Sequence, residues 1–393
     1  MIALRGKALS RPFESPLPRS VWKVVDRSTE NSQRGSRAFL IEDDGVAPEG
    51  FDLYLTRSGG GAKDGSCVVQ LPPELDYLSG DDVVSISDDG ERIRVLWRHQ
   101  SRQNSILLTE RCNHYCLMCS QPPKTANDDR LLSEAFELMR LLPRDTAEIG
   151  FTGGEPTLYG QGVIDLLRLC RNLHPEAEVH VLSNGTRFAD PEFAAAWASI
   201  ENPNMMVGIP IYGAEPARHD YVVQAEGAFN RTIPGILNLA QLGQRIEIRV
   251  VLHRQTAPAL PEIAEFIARN LPFVDQVALM GLEMIGLARA NIPELWIDPT
   301  DYADKLTEAV TLLDRSRIHT MIYNHQLCLI PRAMWPFAVR SISDWKNEYH
   351  PECVDCSVRE ECGGFFFSAK YKFSEKIRAI PAETQQEPAL LSI

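Results

Sequence analysis

Between Asn104 and Gly286 the chain alternates short β-branched runs with stretches of helical periodicity, and that alternation leaves very few folds open. Strands are predicted at Ser105–Leu108, Glu148–Thr152, Glu178–Leu182, Met205–Ile211, Ile246–Leu252 and Gln276–Met280, where apolar and β-branched residues cluster. Helices are predicted over Ser133–Leu142, Val163–Asn172, Glu192–Ser199, Thr232–Leu242 and Leu260–Asn270. Ser133 and Asp190 stand where N-caps belong. A helix between two strands carries the chain back across a sheet, so successive strands run parallel with right-handed crossovers. Six such units predict an α/β fold, a partial (β/α)6 TIM-like barrel. In such a barrel the reactive groups collect on the loops that follow the strands.

The flanks read differently. Residues 1–100 form a β-rich region, with strand runs at Val21–Val25, Phe51–Leu55, Cys67–Leu71, Asp82–Ile86 and Arg92–Trp97. The last two flank an Asp88-Asp89-Gly90 turn, a hairpin signal. The glycine-rich loop from Ser58 to Gly65 lacks the Gly-Lys-Ser/Thr ending of a phosphate loop and reads as a plain flexible connection. Beyond Gly286 the rhythm stops. One helix, Tyr302–Arg315, leads into an irregular stretch rich in aromatics and cysteine, and the polar tail Ala382–Pro388 reads as disordered. Three domains follow: residues 1–100, 101–290 and 291–393. The first is assigned to peptide or partner docking.

The formal net charge of −13 argues against a general nucleic-acid binder and against an anionic membrane surface. No apolar run is long enough to span a bilayer, and Met1–Ser20 has no apolar signal-peptide core. The expectation is a cytoplasmic protein. There, nine cysteines point to metal binding or catalysis rather than to disulfides. Three lie within Cys112–Cys119 and three within Cys353–Cys362, while Cys67, Cys170 and Cys328 stand alone. Cys67 and Cys170 are assigned to packing.

Cys112, Cys116 and Cys119 follow the first barrel strand with C-x3-C-x2-C spacing. A structural zinc site normally takes four ligands. Three thiolates on one loop suit a cubane cluster with one iron left open, and zinc-binding or buried cysteines are the alternative. After the second strand comes Thr152-Gly153-Gly154-Glu155-Pro156, whose glycines let backbone approach a ligand and whose acid offers an acceptor. After the third comes Ser183-Asn184-Gly185-Thr186, which also reads as a simple turn.

These motifs together resemble the radical SAM superfamily. The resemblance implies that Cys112, Cys116 and Cys119 hold a 4Fe–4S cluster whose fourth iron is chelated by S-adenosylmethionine (SAM). It further implies that Gly153, Gly154, Glu155 and Pro156 grip the methionine amino group of SAM, and that Ser183 and Asn184 reach its ribose or carboxylate. Met118 takes a place usually aromatic, beside the adenine; a thioether is apolar and polarizable enough for it. Arg249 is a candidate partner of the SAM carboxylate, with a solvent-facing or structural role as the alternative. The fourth strand's Pro210 and Tyr212 depart from the family's serine and aspartate. His219, His253 and Tyr212 are candidate proton acceptors beside ordinary structural roles.

The second set, Cys353, Cys356 and Cys362, has C-x2-C-x5-C spacing, for which zinc is a rival. It resembles the SPASM and twitch extensions of the same superfamily, which carry auxiliary 4Fe–4S clusters. Cys328 is the expected fourth ligand; as a core residue instead, it would leave an iron open to substrate. A longer stretch, Asn104–Asn113 through Met118-Cys119-Ser120-Gln121-Pro122-Pro123, resembles the HxsC family of His-Xaa-Ser system maturases. That resemblance implies a ribosomally made precursor peptide as substrate, a second radical SAM maturase as partner, and an electron donor such as flavodoxin or ferredoxin. Cleavage of SAM to a 5′-deoxyadenosyl radical would begin an oxidative change, such as a crosslink, on that peptide. A small-molecule substrate in cofactor biosynthesis and a non-catalytic metal scaffold are the two rivals.

Overall fold

A computed structural model describes residues 3–10, 17–26, 37–41, 47–58, 67–340 and 348–382. The glycine-rich stretch 59–65 and nearly all of the polar tail lie outside these residues. Seven strands come first: β1 (Arg5–Lys7), β2 (Val21–Val25), β3 (Arg37–Ile41), β4 (Leu53–Thr56), β5 (Val68–Gln70), β6 (Val83–Ile86) and β7 (Arg92–Trp97). They form one mixed sheet in the order β1-β7-β6-β2-β3-β4-β5. The expected hairpin is β6–β7, antiparallel with a register shift at Val83/Val84. Leu9 N donates to the Gln70 carbonyl and Gln70 N to the Ser10 carbonyl, at 3.0 Å each, tying the segment after β1 to β5. The sheet thus curls upon a core that includes Trp22, Leu40, Leu53, Leu55, Leu75 and Ile93.

The second sheet has eight strands in chain order: β8 (Ser105–Leu107), β9 (Glu148–Thr152), β10 (Glu178–Leu182), β11 (Met205–Pro210), β12 (Arg245–Leu252), β13 (Gln276–Gly281), β14 (His319–Tyr323) and β15 (Ala338–Val339). The helices are α1 (Arg130–Leu141), α2 (Gln161–Leu173), α3 (Pro191–Ala198), α4 (Pro216–Val223), α5 (Phe229–Gln241), α6 (Leu260–Asn270), α7 (Gly286–Ala290), α8 (Ile292–Leu295) and α9 (Ala303–Arg315). Strands β8 to β10 pair parallel, as do β12 to β15. The sequence pattern ends at six strands; here the parallel sheet gains β14 and β15. Asp190 caps α3 through a bond from Glu192 N (3.1 Å), as its position requires. Ser133 does not cap α1. That helix starts three residues earlier, at Arg130, and the Ser133 hydroxyl bonds back to the Asp129 carbonyl.

The chain divides into two compact units, residues 1–115, 121–209 and 230–246 against residues 116–120, 210–229 and 247–393. In the first, Glu134 of α1 accepts from Ser85 Oγ at 2.9 Å and pairs with Arg94 and Arg130, joining the curled sheet to that helix. No helix among the described residues is long and apolar enough to cross a membrane.

Candidate active site

In the first unit the chain leaves β8 at Leu108, and the next residues are bound to the loop after β9. Gly154 N donates to the Thr109 carbonyl (2.7 Å) and Glu155 N to the Arg111 carbonyl (2.8 Å). A methyl group at Gly153 would stand 2.6 Å from the Thr109 oxygen, and one at Gly154 would collide with the Arg111 carbonyl and press on the Cys112 Cβ. Both positions therefore have to be glycine for this approach to exist. Asp128, which the sequence reading passed over, fixes the same loop from below. Its carboxylate accepts from Thr109 Oγ1, Glu110 N and Arg111 Nε. Arg111 also lies over the Tyr159 ring at 5.1 Å. The adjacent acids Asp128-Asp129 at a helix start were the available signal.

Glu155 is 1% exposed. Its Oε1 accepts from Thr157 N (3.0 Å), Thr157 Oγ1 (2.6 Å) and Ser183 Oγ (2.8 Å), and its Oε2 from Asn184 N (2.6 Å). Burial raises its pKa, and these donors oppose the rise. The acid thus spans the loops after β9 and β10. Asn184 Nδ2 donates to Asn113 Oδ1 (2.7 Å), and Asn184 Oδ1 accepts from Thr186 N and Oγ1. The Gly-Gly-Glu-Pro loop, the Ser-Asn-Gly-Thr loop and the start of the cysteine loop are one hydrogen-bonded assembly. His114 N lies 3.4 Å from the Cys112 sulfur as a donor.

The second unit holds the rest of the cysteine loop. Leu117 N donates to the Val222 carbonyl, Asn291 Nδ2 to the Leu117 carbonyl and Leu287 N to the Cys119 carbonyl, at 2.8–2.9 Å. Gly286 has φ +58°, and a side chain there would strike the Cys119 carbonyl. Met118 is buried with Tyr212, Val222, Val223, Ala288 and Leu295, and Cys116 borders that cluster. Arg249 sits on β12, where Nη1 pairs with buried Glu247 (2.5 Å) and Nη2 meets Met280 Sδ (3.0 Å). Its guanidinium is engaged within the sheet.

Tyr212, His219 and His253 come together. The Tyr212 ring stacks on His219 at 5.9 Å and lies 6.3 Å from His253. Each imidazole Nδ1 takes a backbone N–H, from Tyr212 for His219 and from Gln255 for His253. Burial lowers the His253 pKa to about 3 and drives that of Tyr212 far up. Asp220 holds the turn into α5 by accepting from Gly227 N and Phe229 N.

Cys328, Cys353, Cys356 and Cys362 line one pocket. Backbone N–H groups point at the sulfurs, Leu327 N and Gly364 N at Cys362 (3.5 Å each) and Ile380 N at Cys356 (3.4 Å). Burial raises the pKa of the Cys328 thiol, and the nearby Cys362 and Cys353 raise it further. Among the described residues no three His, Cys, Asp or Glu close to the distances of a single bound metal ion; the four cysteines share one pocket lining instead. Cys170 is fully buried on α2, and Cys67 packs against the core of the curled sheet.

Residues 106–267 match the model of the Radical SAM superfamily. No curated protein matches the chain. Among solved structures, Streptococcus suis SuiB aligns at 14% identity over 57% of this chain and 49% of its own, with a TM-score of 0.44. SuiB bound to precursor peptide SuiA aligns at 16% identity over 56% and 48%, TM-score 0.43. A radical SAM methyltransferase from Sphaerobacter thermophilus aligns at 13% identity over 63% and 74%, TM-score 0.43. The chain thus spans about half the length of SuiB.

Proposed function

We propose that the protein is a radical SAM enzyme that makes an oxidative change, such as a crosslink, in a ribosomally made peptide of the His-Xaa-Ser type. The observation that carries the reading is the Cys112, Cys116 and Cys119 loop at the head of the Radical SAM domain, followed by glycine and acid loops bonded to the start of that cysteine loop. The residues fit a cluster. Three thiols of intermediate exposure share one short loop, and its two ends are anchored by backbone bonds. When bound there, a 4Fe–4S cluster supplies the electron that breaks the S–C5′ bond of SAM, for which iron–sulfur potentials reach about −700 mV.

The chain's own part is to hold and shield. Gly153 and Gly154 bring backbone within reach of the SAM amino group, with Pro156 stiffening the exit. Glu155, Ser183 and Asn184 keep those loops in register, so the acid serves SAM by holding the loops together. Met118 supplies an apolar wall, and Arg249, its charge offset by Glu247, braces β12. Cys328, Cys353, Cys356 and Cys362 hold an auxiliary 4Fe–4S cluster, a fit supported by the N–H groups aimed at their sulfurs. Partners in this reading are the precursor peptide, a second radical SAM maturase and a flavodoxin- or ferredoxin-like donor, in the cytoplasm.

Mass spectrometry of a co-expressed His-Xaa-Ser precursor peptide tests the substrate. A loss of about 2 Da, or another defined mass change that needs the intact cysteine loop, is expected. An unaltered peptide beside active SAM cleavage would transfer the reading to a small molecule.

A further inference from the structure

In the first unit an open groove of about 850 Å³ runs between the curled sheet and α1, within the roughly 300–1,000 Å³ range of ligand pockets. One row of residues crosses its floor. Ser85 of β6 stands opposite Arg94 of β7, and Arg94 opposite Arg5 of β1. Side chains alternate along a strand, so this row points away from the core that Ile86 and Ile93 fill. The next rung sets Arg92 opposite Lys7. Residues directly opposite in an antiparallel pair share a face, and like charges placed so repel. The helix wall adds Arg130. A chain of net charge −13 thus gathers its cations on this one face.

The countercharges are already engaged. Glu134 is shared by Arg94 and Arg130 and also accepts from Ser85 Oγ. Asp89 is turned into its own hairpin turn, where it accepts from Glu91 N (3.0 Å). Lys7 lies 3.9 Å from Glu91, a loose and exposed pair. Arg5 and Arg92 are exposed and make no ion pair among the described residues. Each has a cation opposite it, so an anion brought to this rung relieves repulsion as well as gaining attraction.

We propose that this groove binds an acidic segment of the peptide substrate, its side-chain carboxylates seated on Arg5 and Arg92. A guanidinium takes a carboxylate by two parallel hydrogen bonds, and the arginine stems offer apolar wall to the peptide chain. A nucleic-acid strand fits less well. It carries a charge on every unit and would bring phosphates against Asp88, Asp89 and Glu134, which line the same groove. A peptide can set acids at the arginines and uncharged residues at those carboxylates. The groove also adjoins the supports of the cysteine loop, because Arg130 directly follows Asp128 and Asp129, both paired with Arg111. A segment lying along Arg130 is therefore one turn of chain from the residues that hold that loop. The proposal rests on the peptide-modifying reading above and names where such a peptide is gripped.

Fluorescence anisotropy of the full-length protein with labelled (Gly-Glu)4 and (Gly-Gln)4 peptides and a labelled oligothymidylate tests it without requiring turnover. At low salt the Glu peptide is expected to bind about tenfold tighter than the Gln peptide, a difference of about 1.4 kcal/mol, and to weaken as salt is added. Arg5→Gln combined with Arg92→Gln should remove that preference. Both side chains are exposed with a cation opposite, so the sheet has no reason to fail. Arg269→Gln combined with Lys305→Gln, an equal loss of exposed charge on α6 and α9, should keep the preference. Equal binding of the two peptides overturns the proposal, as does a preference that survives in the Arg5 and Arg92 variant or falls equally in both. Oligothymidylate bound more tightly than the Glu peptide, and lost in the same variant, overturns it in favour of nucleic acid. Mass spectrometry of the precursor peptide separates the two levels: a modified peptide without glutamate preference sinks the groove alone, and preference without modification sinks the peptide-modifying reading alone.

Discussion

Gly154 and Glu155 are neighbours fixed for opposite reasons, one because nothing fits and one because four donors need it. Gly154→Ala pushes a methyl into the Arg111 carbonyl beside Cys112. SAM binding by equilibrium dialysis should weaken at least tenfold, and an unchanged affinity would show that the loop relaxes freely. Glu155→Gln replaces an acceptor oxygen by an N–H that faces other donors, at a cost of about 1–3 kcal/mol in denaturant unfolding. The two motifs were legible in the sequence because each is a short run with a fixed place after a strand. That they bind one another was not legible, since spacing says which loop follows which strand and nothing of which rotamer a buried acid takes. Arg249 gives the same lesson. Its strand and position were readable, and its pairing with Glu247, two residues away on the same face, was not weighed.

At the scale of elements, the first six strands of the parallel sheet, β8 to β13, were found almost to the residue, because β-branched runs flanked by amphipathic helices carry a strong periodic signal. β14 escaped because His319-Thr320-Met321-Ile322-Tyr323 is short, mixed in polarity and followed by a polar turn. Its place beside β13 comes from the sheet, not from propensity. The turn after it carries a titratable group with a readable consequence. Burial lowers the His325 pKa to about 4, against about 6.5 for a free imidazole. The unfolded chain therefore binds the extra proton first, and stability present above pH 6.5 drains away as pH falls toward 4. Those two and a half pH units correspond to about 3 kcal/mol. Denaturant midpoints should fall between pH 6.5 and 4, less so in His325→Gln, which has no such proton to take up. Equal slopes in the two proteins would remove His325 from the account.

Across the whole molecule the nine cysteines sort into two groups and two packing residues. The spacing of Cys353, Cys356 and Cys362 was visible from the sequence; the approach of Cys328, more than twenty residues upstream, depends on the turn after β14 that brings Leu327 N to the Cys362 sulfur. Two cubanes require about eight irons per chain after anaerobic reconstitution. Cys328→Ala should lower that to about four or leave an unstable second cluster, and an unchanged, stable count would return Cys328 to the core. A colourless protein that binds zinc alone would remove both enzyme readings.

The central claim is that Cys112, Cys116 and Cys119 together make SAM cleavable, and the product 5′-deoxyadenosine reports it directly. With dithionite and SAM under anaerobic conditions, the reconstituted protein should form 5′-deoxyadenosine, and Cys116→Ala should form none above background. Undiminished 5′-deoxyadenosine from Cys116→Ala, or none from the iron-loaded wild type, would contradict it.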